Sequence, residues 1–230
     1  MLVSLFSQPH SARPPGSTPS RPARWLALGD SYTIGEGVAP QSRWPELLAE
    51  RLRSTGAHLA PPRYVATTGW TTDELLAGME AARVWPAHEP FELVSLLIGV
   101  NDQYRGRVFE EFARAYGKCL EHARALGCGH AARVLCLSIP DWGQTPFAAG
   151  RDRAAIARDI DRYNLHERAR VEAAGAHWCD VTGLSRRHGA DPTYLVADGL
   201  HPAPAAYAEW AEAALPAARA ALAGEPPAKP

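Results

Sequence analysis

Neither sign of charge dominates this chain. Its 24 Lys and Arg residues meet 25 Asp and Glu, a formal net charge of −1 over 230 residues. Nucleic-acid binding calls for a basic patch or stripe, so that class is excluded as the first expectation. Long hydrophobic runs are missing too. The best of them, LVSLLIGV (93–100), falls far short of the roughly 20 residues that cross a bilayer, so no integral membrane segment is expected. The apolar start, Met1 to Phe6, has no basic residue before it and is shorter than a signal-peptide core of about 7–15 residues. The stretch after it, SQPHSARPPGSTPSRPAR, is rich in Pro, Ser and Arg and has no apolar period. Residues 1–22 therefore read as a flexible N-terminal arm and the expected compartment is cytoplasmic, with secretion left open. Cysteine is scarce. The four present (Cys119, Cys128, Cys136, Cys179) show no C-x-x-C spacing and read as small buried hydrophobes in a reducing environment. Of nine histidines, none sits in a metal-ligand spacing such as H-E-x-x-H, and no metal is expected.

What is present is an alternation of short apolar runs with longer helical patterns, and no internal repeat. Strands are predicted at Trp25–Leu28, Arg63–Thr67, Leu93–Ile98, Val134–Ile139 and His177–Val181. The near-continuous apolarity at Leu93 and Val134 suits strands covered on both faces. Helices are predicted at Trp44–Leu52, after a capping box Thr71-x-x-Glu74, at Phe109–Leu126, Arg151–Ala174 and Ala203–Leu222. The Arg and Glu residues of 151–172 read as a solvated helix face. The fold class is α/β, a three-layer α/β/α sandwich around a five-stranded, mainly parallel sheet. One domain spans 23–223, and GEPPAKP leaves 224–230 as a disordered C-terminal tail.

In such a sheet, ligands sit outside the carboxyl ends of the strands. Those ends carry compact polar clusters: Gly29-Asp30-Ser31-Tyr32-Thr33, Gly69-Trp70-Thr71-Thr72, Gly99-Val100-Asn101-Asp102 and, before the last helix, Asp198-Gly199-Leu200-His201-Pro202. Acyl transfer would use this set. A serine hydroxyl needs a base to take its proton, and the base needs a third group to hold its tautomer. Ser31, His201 and Asp198 can fill those roles, Asp198 lying three residues from His201 in one turn. The backbone N–H groups of Ser31 and Gly69 and the amide of Asn101 can supply oxyanion donors. Tyr104, Trp142 and Phe147 follow strands three and four, and lining a substrate pocket or plain packing are equally open for them. Asp30 and Asp102 read as turn-shaping residues.

The four clusters resemble, in order, conserved blocks of the SGNH hydrolases, also called GDSL esterases/lipases. G-D-S-Y-T-I-G-E-G (29–37) is similar to the first block, G-W-T-T (69–72) to the second, G-V-N-D (99–102) to the third and D-G-L-H-P (198–202) to the fifth. The likeness runs from about Trp25 to Leu222. The segment I-P-D-W-G-Q-T-P-F-A (139–148) also looks like the loop after the fourth strand of bacterial members. Thr68 departs from the family pattern, which often has Ser there, and an Asn often found slightly earlier is absent. Both changes touch the support of the oxyanion loop.

The resemblance implies the flavodoxin-like SGNH hydrolase fold and a serine esterase acting on small-molecule carboxylic esters. Short-chain acyl or acetyl esters, lysophospholipids and thioesters all fall within its range, and no cofactor is implied. Ser31 would be the nucleophile, Asp198 and His201 would complete the triad, and Ser31, Gly69 and Asn101 would form the oxyanion hole.

Three other readings stay open at the level of sequence. An acyltransferase would use the same triad with a different acceptor. A non-catalytic carbohydrate- or lipid-binding module would have no need of Ser31 and His201. A metal-dependent phosphoesterase would use Asp30, Asp102, Asp198 and His201 as ligands. Oligomeric state is not legible.

Overall fold

The computed structural model describes residues 21–84 and 90–228. Most of the expected arm (1–20) and the last two residues of the expected tail lie outside the described residues.

The chain runs β1 (Trp25–Gly29), α1 (Ser31–Ile34), α2 (Trp44–Ser54), β2 (Arg63–Ala66), α3 (Thr72–Ala81), β3 (Leu93–Leu97), α4 (Val100–Tyr104) and α5 (Phe109–Leu126). It continues through β4 (Val134–Leu137), α6 (Arg153–Ala174), β5 (His177–Cys179), α7 (Thr182–His188) and α8 (Pro204–Ala223). The five strands form one sheet in the order β2-β1-β3-β4-β5, and all four pairings are parallel. That is the doubly wound order whose direction reverses between β1 and β3, where a crevice opens at the strands' carboxyl ends.

β1, β3 and β4 are buried along their whole length because helices cover both faces. On one face α2 packs against α8; on the other α5 lies between α3 and α6. Trp25 anchors the centre. Its ring stands 5.9 Å from Trp44, and its indole N–H donates to Ser95 Oγ at 3.0 Å, which satisfies the polar edge of a buried ring. No helix among the described residues is long and apolar enough to cross a membrane.

Three local expectations are corrected. Residues 151 and 152 precede α6 rather than open it, because the Asp152 carboxylate accepts from Ala155 N and caps the helix there. Glu167, assigned to a solvated face, is wholly buried; it follows Ile160 and Tyr163 at helical spacing on the face that meets the core. Cys119, Cys136 and Cys179 are buried, but Cys128 is exposed, carried out of the core in the turn after α5 with a positive φ of 61°.

Candidate active site

The turn from β1 into α1 is built around two residues. At Gly29, an added Cβ would stand 2.2 Å from Thr33 Oγ1 and 2.4 Å from the Leu97 carbonyl, so no larger side chain fits between the strand and the helix. Asp30 then caps α1, its Oδ1 accepting from Tyr32 N at 3.0 Å. Ser31 follows at the edge of the crevice.

His201 arrives from the segment before α8. Asp198 Oδ1 accepts from the backbone amides of Leu200 (2.8 Å) and His201 (3.0 Å), folding the turn tightly. Its other oxygen accepts from His201 Nδ1 at 2.6 Å. An ionised carboxylate can only accept, so Nδ1 carries the proton and Nε2 is left to accept from Ser31 Oγ at 3.0 Å. Burial would raise the Asp198 carboxyl, but the hydrogen bonds from the His201 ring and the two amides outweigh it and hold Asp198 below its usual range. Tyr32 backs the imidazole at 5.6 Å between ring centres and rests in turn on Trp210 at 6.1 Å.

Across the crevice lies the loop after β2. Gly69 has φ of +84°, a conformation that favours glycine. Asn101 of α4 and Arg105, which follows the helix, hold this loop from behind. Asn101 Nδ2 donates to the Trp70 carbonyl at 2.9 Å, and Arg105 Nη2 donates to the Gly69 carbonyl at 2.5 Å. Arg105 is steadied by Glu74 at 3.3 Å. Asp102 turns away from the crevice and accepts from Thr72 N (2.9 Å) and Thr72 Oγ1 (2.8 Å). The expected capping box is present, with Thr71 and Glu74 bonded reciprocally at the start of α3. Thr68, where the family pattern often has Ser, donates to Glu36.

The two sides enclose a cavity of about 180 Å³. Ser31, Gly69, Asn101 and His201 border its polar half. Tyr104, Trp142 and Phe147 line the rest, together with Tyr32, Thr68, Val100 and Leu200. All eight residues expected from sequence are thus brought to one place, except that Asp198 stands behind His201 and outside the cavity wall. The Asn101 amide keeps one N–H beyond its bond to Trp70. Of the residues that a metal-dependent reading needs, Asp102 is turned to Thr72, and Asp198 and His201 are bonded to each other. Among the described residues no group of three or more His, Cys, Asp and Glu is arranged to hold an ion.

Sequence reasoning missed the supporting cast. Gln103 accepts from the Trp142 indole N–H at 2.8 Å and so fixes that ring against the cavity. Arg105 grips the Gly69 loop, and Arg151 lies over the aromatic wall. Beneath the site, Glu167 is buried with neither carboxylate oxygen hydrogen-bonded. Burial first, then the nearby Asp102 and Asp30 carboxyls, push it well above the usual range. Its helical spacing with Ile160 and Tyr163 was a visible signal; long-range partners such as Arg105 carried none.

Residues 27–209 match the model of the GDSL-like Lipase/Acylhydrolase family. Among solved structures, TesA is 26% identical at a TM-score of 0.65, the match covering 84% of this chain and 97% of that one. The psychrotrophic esterase EstA from Pseudoalteromonas sp. is 16% identical at 0.65, covering 86% and 97%. Axe2, an acetylxylan esterase from Geobacillus stearothermophilus, is 19% identical at 0.65, covering 86% and 94%. The last two likenesses concern the fold alone. No curated protein sequence matches this chain.

Proposed function

Because this chain belongs to the GDSL-like lipase/acylhydrolase family, whose members are ester-hydrolysing serine hydrolases, we propose that it cleaves short-acyl carboxylic esters through an acyl-serine intermediate on Ser31. The observation that carries this reading is the unbroken chain from Asp198 through His201 to Ser31, with Ser31 at the wall of the cavity.

In the first half-reaction His201 Nε2 takes the Ser31 proton as Oγ bonds to the ester carbonyl carbon. The carbonyl oxygen becomes an oxyanion, which the Ser31 and Gly69 amides and the second N–H of the Asn101 amide would receive. The imidazolium, stabilised by Asp198, then protonates the departing alcohol oxygen as the ester C–O bond breaks. Water repeats the sequence in reverse: it gives a proton to His201, attacks the acyl group and releases the acid, and the proton returns to Ser31.

Cavity size supports the choice of short acyl groups. About 180 Å³ is below the roughly 300–1,000 Å³ of pockets that enclose drug-sized ligands. The half facing the aromatic wall suits an apolar chain of a few carbons. The name of Axe2, an acetylxylan esterase on the same fold, agrees with a small acyl group.

The test is hydrolysis of p-nitrophenyl acetate and longer homologues by the unaltered protein and by Ser31→Ala. Loss of kcat/KM by a factor of about 10³ or more is expected on removal of a triad member. Undiminished turnover in Ser31→Ala would overturn the mechanism. A profile that peaks at long chains would overturn the acyl assignment while leaving the serine chemistry intact.

A further inference from the structure

The aromatic wall of the cavity suits an apolar acyl chain, but it carries a cation that such a chain does not need. Tyr104, Trp142 and Phe147 form a continuous aromatic surface, with ring centres 5.3, 6.0 and 6.1 Å apart. Trp142 is buried, yet Tyr104 and Phe147 are 41% and 40% exposed, so the wall extends from the cavity out to the surface. Over it lies a cation. The Arg151 guanidinium carbon stands 5.0 Å from the Tyr104 ring centre, 5.2 Å from Trp142 and 5.8 Å from Phe147.

Arg151 is exposed but tied to the wall. Its Nη2 donates to Tyr104 Oη at 3.1 Å, and its backbone N–H donates to the Ala148 carbonyl at 3.1 Å. It also differs from Arg153, whose guanidinium is taken up by the Gln144 and Thr145 carbonyls, and from three ion-paired arginines around the site. Arg105 pairs with Glu74 at 3.3 Å, Arg107 with Asp73 at 3.1 Å and Arg186 with Asp141 at 2.9 Å. Arg151 has no ion pair among the described residues. The nearest carboxylate in sequence, Asp152, is engaged by Ala155 N at 2.9 Å as the cap of α6.

A guanidinium offers five N–H donors in a planar fork suited to carboxylate and phosphate oxygens. Here one is used by Tyr104. The aromatic faces shield one side of the cation from water, which strengthens its pull on an anion approaching from the other side. An arginine whose only task was to cover apolar surface would fit the stacking but would not require the missing counter-charge.

We infer that Arg151 selects substrates carrying an anionic group, a carboxylate or a phosphate, on the part of the ester that runs along the Tyr104–Trp142–Phe147 wall. The inference rests on the proposed hydrolase reading and deepens it by naming the substrate class. Arg151 reaches the aromatic wall but does not line the cavity, so the recognised anion would lie apart from the reacting carbonyl and its oxyanion donors.

Two matched substrate pairs test it. On the acyl side, mono-p-nitrophenyl glutarate carries a terminal carboxylate that p-nitrophenyl butyrate lacks. On the alcohol side, 2-acetoxyethyl phosphate carries a phosphate that 2-acetoxyethanol lacks. The readout is the ratio of kcat/KM for the anionic member over its neutral partner, in the unaltered protein, Arg151→Gln and Arg151→Lys.

Arg151→Gln is expected to lower that ratio about 10- to 100-fold in one pair, mainly through KM, as loss of a charge-assisted hydrogen bond does. Arg151→Lys, which keeps the charge and loses the fork, should recover part of it. Added salt should shrink the ratio in the unaltered protein and in Arg151→Lys but not in Arg151→Gln. The pair that responds identifies whether the anion sits on the acid or the alcohol.

An unchanged ratio in both pairs overturns the inference, because a purely packing arginine would affect anionic and neutral esters alike. Failure of the unaltered protein to turn over any of the four esters overturns it as well. Hydrolysis of p-nitrophenyl acetate that disappears in Ser31→Ala keeps the hydrolase reading standing in every one of these cases.

Discussion

Asp30 sits directly under the serine turn and is fully buried, with one carboxylate oxygen bound to Tyr32 N and the other without a hydrogen-bond partner. Burial is the main cause that pushes it up to about 8, against the Tyr32 amide, which acts the other way; the Asp102 carboxyl adds to the rise. The sign of the consequence follows from proton counting. The folded state keeps its proton where the unfolded chain, with a carboxyl near 4, has lost it, so folding binds more protons between those values. Stability from this group is fully present below about pH 4 and is lost as pH rises through about 8. Asp30→Asn keeps an oxygen for Tyr32 N and cannot ionise. Its urea midpoint between pH 5 and 9 should therefore fall less steeply than that of the unaltered protein. In unfolding free energy, the midpoint multiplied by the urea slope, the difference should be on the order of a few kcal/mol, at about 1.4 kcal/mol per pKa unit. Equal slopes would mean that Asp30 is ionised in the fold. Glu167 stays in the variant and leaves some slope behind. That Asp30 shapes its turn was legible, since Asp after Gly and before a helix start is a capping pattern. That it is sealed from water was not, because burial depends on what distant segments the fold lays over it.

At the scale of elements, the short helix α4 is the hinge between sequence motif and site. Five residues cannot hold a helix alone. α4 is held by Asp102, which bonds Thr72 at the start of α3, and in return it presents Asn101 and Arg105, four residues apart, to the loop after β2. Arg105 thus acts on Gly69 as a positioning residue, filling the support that the Thr68 departure had placed in question. Arg105→Met leaves the Gly69 carbonyl without that donor. Its expected effect is about a tenfold fall in kcat on p-nitrophenyl acetate with KM little changed, the mark of weakened transition-state contacts, partly restored in Arg105→Lys. A rise in KM at constant kcat would assign Arg105 to substrate binding instead. Most elements were readable from local pattern: α5 begins and ends where its apolar spacing and Gly127 put it, and the Thr71–Glu74 box opens α3. The local pattern places the start of α6 two residues too early, because the cap, Asp152, resembles one more charged helix residue. Glu167 was misassigned because charge outweighed spacing, although Ile160, Tyr163 and Glu167 share a face.

Across the whole molecule, Ser31 and His201 are 170 residues apart and meet only because α8 packs back on the sheet. Trp210 is central to that packing, 1% exposed, edge-on to Tyr207 at 5.3 Å and in contact with the Tyr32 ring that backs His201. Trp210→Ala should cost about 3–5 kcal/mol in urea unfolding, the range for removing a large buried aromatic, and Trp210→Phe much less. A loss under about 1 kcal/mol would show that α8 is not integral to the core. The amino-acid sequence by itself determined the α/β alternation, the positions of all five strands and the four polar clusters, because each depends on neighbours within a few residues. Even the Asp198–His201 bond belongs there, being made within one turn. Tertiary structure alone decided which groups are sealed from water, which cations lack a partner and which side chains reach across: Arg105 to Gly69, Gln103 to Trp142, Arg151 onto three rings. Those contacts join segments by the way the sheet winds, and side-chain chemistry is similar at many surface positions, so no local pattern marks the few that the fold brings together.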